Sequence, residues 1–237
     1  LPPNDTLAVE YLRALKSTAM RPVTLRREGG GYHDAALGAL ASATAIREAL
    51  RAGKDVFDAM PHAAHEILAQ EIARGAFQPP GALDRVMLAR LRLMGAEGIE
   101  RIPEVSEGLE NRLLRATQDC GSRQAALGAA KCKRYTWARL SRAMTQGMLG
   151  MEKAMCSRVT EPPYARLLGF RREAAELLHA AAGRAKIPVE TRGARLRETG
   201  GETFALEMRA TDLWALGCAD ETQRAACRDL TEKLAIV

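Results

Sequence analysis

The chain has 237 residues, 47% of them hydrophobic and only 4% aromatic, with a formal net charge of +6. That is enough for one large domain or two small ones, with a core of Ala, Leu, Ile, Val and Met rather than aromatic rings. No apolar run reaches the roughly 18 residues of a membrane helix, and the first residues do not read as a secretory signal. The five cysteines form no C-x-x-C pair. The odd count looks like unpaired thiols in a reducing, cytoplasmic setting. The basic balance suits a polyanionic partner such as RNA, although a bias toward arginine codons has the same effect.

The abundance of Ala and Leu predicts a mainly helical chain. Asn4 or Asp5 can cap a first helix, with Leu7, Tyr11, Leu12 and Leu15 on one face, and Pro22 stops it. Val23 to Arg27 reads as a short strand that ends at the turn Gly29-Gly30-Gly31. Ser42 or Thr44 then caps a helix that runs to about Ala52, where Gly53 ends it. Helix, strand, loop and helix make half of an α/β pattern, and a lone strand is not a stable sheet. Residues 1–58 are therefore expected to be the tail of a Rossmann-like α/β domain whose first strands lie upstream. The opening Leu1-Pro2-Pro3-Asn4 reads as an internal segment and points the same way.

Residues 59–237 are expected to be a helical region with a small α+β part at its C-terminal end. Helices are predicted over 63–73, 83–94 and 106–118, the last capped by Ser106, and another restarts after Gly121-Ser122. In the stretch 134–151, Trp137, Leu140, Met144, Met148 and Met151 share an apolar stripe, which places Trp137 in the core, while Arg139 and Arg142 fall opposite. Pro162-Pro163 closes the bundle. Residues 164–170 read as extended, 173–182 as helix and 187–189 as strand; 191–202 read as a mobile loop, and 207–216 and 221–234 as helices.

The most specific chemistry lies in the stretch from Leu40 to Arg47. A capped helix start leaves N–H groups and the positive end of its dipole facing outward. Thr44 and Arg47, three apart, share a face, so a hydroxyl, amides and a guanidinium converge as a phosphate requires. An ordinary capped helix with a surface arginine fits the same spacing. His33 beside Asp34 could orient an imidazole, or be a satisfied loop histidine. His62, His65 and Glu66 lack the spacing of a zinc motif and a third ligand, so no metal site is expected. Lys131, Lys133, Arg134, Arg139 and Arg142, interleaved with Tyr135 and Trp137, form a cationic cluster suited to an RNA backbone. Arg171, Arg172, Arg184, Lys186, Arg192, Arg195 and Arg197 add positive charge. Cys132, between two lysines, is the one thiol whose neighbours favour the thiolate.

Seven segments are collinear with one known family: 3–12 (Pro-Asn-Asp-x-Leu-Ala-Val-Glu-Tyr-Leu); Arg27 with Gly31-Tyr32-His33-Asp34; Ser42-Ala43-Thr44-Ala45-Ile46-Arg47; 105–112; 133–140; 163–169; and Arg209-Ala210-Thr211-Asp212. The order resembles that of the tRNA(Met) cytidine acetate ligases. The resemblance implies a Rossmann-like nucleotidyltransferase domain followed by a helical, tRNA-binding region. It implies activation of acetate by ATP to acetyl-adenylate, with magnesium as a companion ion, and acetyl transfer to N4 of the wobble cytidine of elongator tRNA(Met). It carries ATP contacts to Asn4 and Arg27, and phosphate contacts to Ser42, Thr44 and Arg47. Ala43 departs from the second serine usual in that signature. The family's His-x-Gly-His turn is absent from the 237 residues, so no catalytic residue is assigned. The chain is read as a C-terminal part that does not turn over by itself. Two alternatives carry fewer requirements: a non-catalytic RNA-binding helical module, and a related nucleotidyltransferase with another substrate.

Overall fold

The computed structural model describes residues 3–25 and 41–237. It divides into two compact units, residues 1–69 and 70–237. Arg27, His33 and Asp34 lie outside the described residues.

In the first unit, α1 spans Pro3–Leu15. Proline suits the first helical position because its missing N–H has no intrahelical acceptor there. Asn4 and Asp5 therefore sit inside the first turn rather than capping it, and Asp5 meets the positive end of the dipole. The predicted strand is not formed in its described part: residues 23–25 have no ladder assignment, and Val23 and Leu25 are exposed. Two apolar side chains do not make a strand without a neighbouring edge to pair with. Helix α2 (Ala43–Arg51) begins where expected, with Ser42 as its cap, and gives way to a left-handed Gly53.

The division between the units falls inside α3 (His62–Ala73). The second unit is built on α4 (Asp84–Glu100), α5 (Leu109–Asp119), α6 (Arg123–Ala130) and α7 (Trp137–Leu149). Leu91, Ile99, Ile102, Leu109, Leu113, Leu140 and Met144 are fully buried between them. The helix expected over 83–94 continues to Glu100 across a break at Gly95, whose φ of 62° and ψ of −175° are not helical. Gly147 lets α7 approach α4: a Cβ there would lie 2.5 Å from Leu91 and 2.8 Å from Ile102.

Four expectations in this unit fail in informative ways. Ser106 does not cap α5. Glu107 and Gly108 are both left-handed (φ 60° and 81°), so the chain turns once more before the helix starts at Leu109. Trp137 is not core but 48% exposed. Thr136 caps α7, which puts Trp137 at its first position, ahead of the buried segment that runs from Leu140 to Met148. The stretch 191–202 is not a loop. It holds α10 (Gly193–Thr199) and the start of α11 (Gly201–Leu216), with Leu196 fully buried. Conversely, residues 221–234 carry only a short 3-10 turn and the one-turn helix α12 (Arg228–Thr231).

The C-terminal part is α+β, as expected. Helices α8 (Lys153–Arg158) and α9 (Ala175–Arg184) accompany two minimal parallel pairs. Strand β1 (Ala165–Arg166) pairs with β3 (Val189–Glu190), and β2 (Gly169–Phe170) with β4 (Ala235–Ile236). A second core of Tyr164, Leu196 and Phe204 lies here, the Tyr164 and Phe204 rings meeting edge to face at 6.2 Å. Desolvation, then the neighbouring Glu207 carboxylate, hold the Tyr164 phenol above the ordinary tyrosine range. A phenol held protonated in the fold stabilises it fully below the unfolded value near 10, and that contribution fades as pH rises further. Tyr164→Phe keeps the ring and removes the titrating oxygen. Its thermal midpoint should fall less steeply than the wild type's between about pH 9 and 11; parallel curves would refute this.

Candidate functional site

Helix α2 presents the phosphate candidates. The Ser42 side chain, 7% exposed, accepts the Ala45 N–H at 3.1 Å. That bond fixes where the helix starts and so where its first N–H groups point. Ala45 and Ala49 are buried on one side of α2. Thr44 is half-buried and Arg47 exposed, and their spacing of three puts them over the same turn. Arg51 is engaged with Glu48, whereas Arg47 has no ion pair among the described residues. A helix N-terminus, a hydroxyl and an available guanidinium thus come together, an arrangement that attracts an anion. Asn4 lies in the first turn of α1.

His62 and His65 face different partners. His62 Nδ1 is 3.5 Å from Glu66, while His65 Nε2 is 3.7 Å from Asp55. Both imidazoles meet the Phe57 ring edge to face, at 5.4 and 4.9 Å. Among the described residues, no group of three or more His, Cys, Asp or Glu is placed to hold a metal ion.

The cationic cluster separates into two kinds of residue. Arg139 donates to the Glu104 carbonyl (3.0 Å) and to Ser106 Oγ (2.6 Å), and lies over the Tyr135 ring at 5.3 Å. Arg142 grips the Glu104 carboxylate with two hydrogen bonds of 2.7 and 3.2 Å. Those bonds hold the Glu104 carboxyl below its ordinary value against partial burial, with the charges of Arg142 and Arg139 adding to the effect. Both arginines therefore staple α7 to the connection between α4 and α5. Lys131 turns its ammonium to the Cys132 carbonyl at 2.6 Å. Lys133 and Arg134 remain exposed, Arg134 touching Glu107 only at 3.5 and 3.8 Å. Desolvation works against the Cys132 thiolate, but the N–H groups of Tyr135 and Arg134 and the charges of Arg112 and Lys131 lower its pKa on balance.

Sequence reasoning missed a cleft of about 630 Å³ beside this cluster. Asn111, Arg112, Arg115 and Asp119 line it from α5, with Arg134 and Tyr135 from the connection between α6 and α7. The signal was present: positions 111, 115 and 119 recur every four residues, the polar stripe of an amphipathic helix.

The family pattern described as HIGH Nucleotidyl Transferase matches residues 2–229. A tRNA(Met) cytidine acetate ligase of Syntrophomonas wolfei is 31% identical over 97% of this chain and 59% of its own length. One from Clostridium acetobutylicum is 28% identical over 90% of this chain and 53% of its own. The chain therefore spans between half and two thirds of these relatives. The crystal structure of Thermotoga maritima TmcAL in its apo form superposes with a TM-score of 0.91 at 27% identity, covering 99% of this chain and 60% of that one. The same protein bound with alpha-thio ATP gives a TM-score of 0.89. With a family match across nearly all of its length, this chain belongs to the HIGH nucleotidyl transferases, and its curated relatives are tRNA(Met) cytidine acetate ligases.

Proposed function

We propose that these residues belong to a cytoplasmic, ATP-dependent tRNA(Met) cytidine acetate ligase. The observation that carries the reading is the close superposition on a ligase that binds an ATP analogue, combined with the anion-attracting start of α2. In this reading, residues 1–58 are the end of a Rossmann-like nucleotidyltransferase domain, and residues 59–237 carry the tRNA. Acetate attacks the α-phosphorus of ATP and pyrophosphate leaves; the cytidine amine then attacks the carbonyl of the acetyl-adenylate, the acyl–phosphate C–O bond breaks, and AMP and the amine proton are released. Such chemistry relies on positioning and charge stabilisation rather than on a covalent protein intermediate.

The chain's own residues supply one wall of that site. Ser42 sets the helix start, its N–H groups and Thr44 meet phosphate oxygens, and Arg47 stabilises the departing pyrophosphate. Asn4 and Arg27 complete the nucleotide contacts. Magnesium, where it accompanies ATP, would supply neutralisation of the phosphate charge beside Thr44 and Arg47. Lys131, Lys133 and Arg134, with Arg139 and Arg142 behind them, form the tRNA-facing side.

Calorimetric titration with ATP and a gel shift with elongator tRNA(Met) test the reading. Uptake of both supports it. A tRNA shift without ATP binding points to a plain RNA-binding module. The isolated 237 residues, lacking a His-x-Gly-His turn, are expected to give no ATP- and acetate-dependent acetylation of tRNA; turnover by them would sink that expectation.

A further inference from the structure

The cleft between α5 and the α6–α7 connection is concave and lined by Arg112, Arg115 and Arg134. Its volume of about 630 Å³ suits a small polar ligand or one unit of a polymer. Its three arginines differ in what they are free to do. Arg112 donates from Nε to the Ala130 carbonyl at 2.6 Å, and from Nη2 to the carbonyls of Ala129 and Lys131 at 3.4 Å. It caps the end of α6 and shapes the cleft wall. Arg134 is held only by the two long contacts to Glu107, and its side chain is 63% exposed. Arg115 is exposed and has no ion pair or hydrogen bond to a side chain among the described residues. Arg115 and Arg134 thus stand at one cleft as two guanidiniums without strong internal partners.

The remaining groups are not those of a simple anion site. Asp119 and Asn111 also line the cleft. A carboxylate disfavours a bare phosphate, but it accepts hydrogen bonds from an exocyclic amine, and a carboxamide reads either kind of base edge. Tyr135 is 5% exposed, with its hydroxyl donating to the Glu107 carbonyl at 2.8 Å, so it serves as a rigid wall. Two residues on, Trp137 is 48% exposed. An indole this exposed, three residues along the chain from Arg134, offers a stacking surface for a base.

We propose that this cleft holds one unpaired nucleotide of an RNA chain. Its phosphate lies on Arg115 and Arg134, its base edge faces Asn111 and Asp119, and a neighbouring base stacks on Trp137. This rests on the tRNA reading above and adds where an unpaired segment of the tRNA is held. Unpaired segments are the parts of RNA whose bases can be splayed out and read in this way. A duplex would offer only its backbone to the two arginines and would leave Asn111, Asp119 and Trp137 without a role.

The test is fluorescence-anisotropy binding of the 237-residue chain to labelled elongator tRNA(Met) and to a short single-stranded oligoribonucleotide, across a salt series. Arg115→Ala and Arg134→Ala should each weaken binding several-fold and lower the salt slope by about 0.7. Trp137→Leu should weaken it without changing the slope, and Trp137→Phe should restore part of the loss. Arg85→Ala, the same charge change on an exposed site of α4 outside the cleft, should bind as the wild type does. Wild-type RNA binding that survives all of the cleft substitutions overturns the cleft assignment and leaves the tRNA reading standing. Equal affinity for free cytidine monophosphate and for the oligonucleotide overturns the RNA-chain assignment in favour of a mononucleotide site. No RNA binding by the wild type, with binding of polyglutamate instead, overturns the cleft assignment and the tRNA reading together.

Discussion

Replacing Arg166 with methionine is expected to cost about 3–5 kcal/mol of stability, a drop in thermal midpoint on the order of 10 °C. Arg166 Nη1 donates to Asp229 Oδ1 at 2.6 Å, and Nη2 to the Asp229 carbonyl at 3.3 Å. Its guanidinium also lies over the Phe204 ring at 5.6 Å. The side chains are 20% and 10% exposed, so water screens the pair poorly. Among the described residues, Asp229 Oδ2 is buried with no hydrogen-bond partner, and Arg166 is the cation that offsets this carboxylate. Without it, a buried charge stays uncompensated. The check is a double-mutant cycle by thermal unfolding. Asp229→Leu added to Arg166→Met should recover much of the loss, because the pair is then replaced by apolar groups. If the double variant is as unstable as the sum of the singles, the energy lies in packing on Phe204 and not in the ion pair.

The same corner shows why sequence pattern gave only part of the fold. Arg166 and Asp229 are 63 residues apart, and a short-range reading has no means of pairing them. Gly193 has the same history. Its absent Cβ would lie 1.8 Å from the Asp229 carbonyl oxygen, so glycine here allows α10 to press against α12. Read locally, Thr191 to Glu202 is polar and glycine-containing, the signature of a loop. What makes it helical is tertiary: Leu196 buried against Tyr164 and Phe204.

Local physics dominates at three helix starts, of which the sequence marks Ser42 as a cap. Ser42, Ser122 and Thr136 each accept the N–H three residues on, and each starts a helix. Ser106 has the same chemistry but precedes two left-handed residues, and its hydroxyl instead accepts a hydrogen bond from Arg139. At the candidate site, the helix start at Ser42 is formed, with Thr44 and Arg47 both on α2. Charge alone did not separate Arg139 and Arg142, engaged with the 104–106 connection, from Arg134. That distinction needs the position of Glu104, which no periodicity supplies. Trp137 was misplaced because its stripe is real but longer than the core it packs on.

Arg47→Ala is expected to lower acetate-dependent ATP–pyrophosphate exchange by the intact ligase about 10²–10³-fold, the usual effect of removing one preorganised group from a developing charge. Arg47 is exposed and without an ion pair among the described residues, so its loss should leave folding intact. Ser42→Ala provides the contrast. Ser42 is buried and holds the Ala45 N–H, so its removal should cost about 1 kcal/mol of stability along with activity. Arg47→Lys keeps the charge but loses the planar, two-pronged donor, and should fall between the two arginine states. If Arg47 acts on the departing pyrophosphate, the deficit appears in kcat for exchange, with a smaller change in the KM for ATP. A deficit confined to KM would assign Arg47 to ground-state binding of ATP. Wild-type exchange by Arg47→Ala would remove α2 from the nucleotide site altogether.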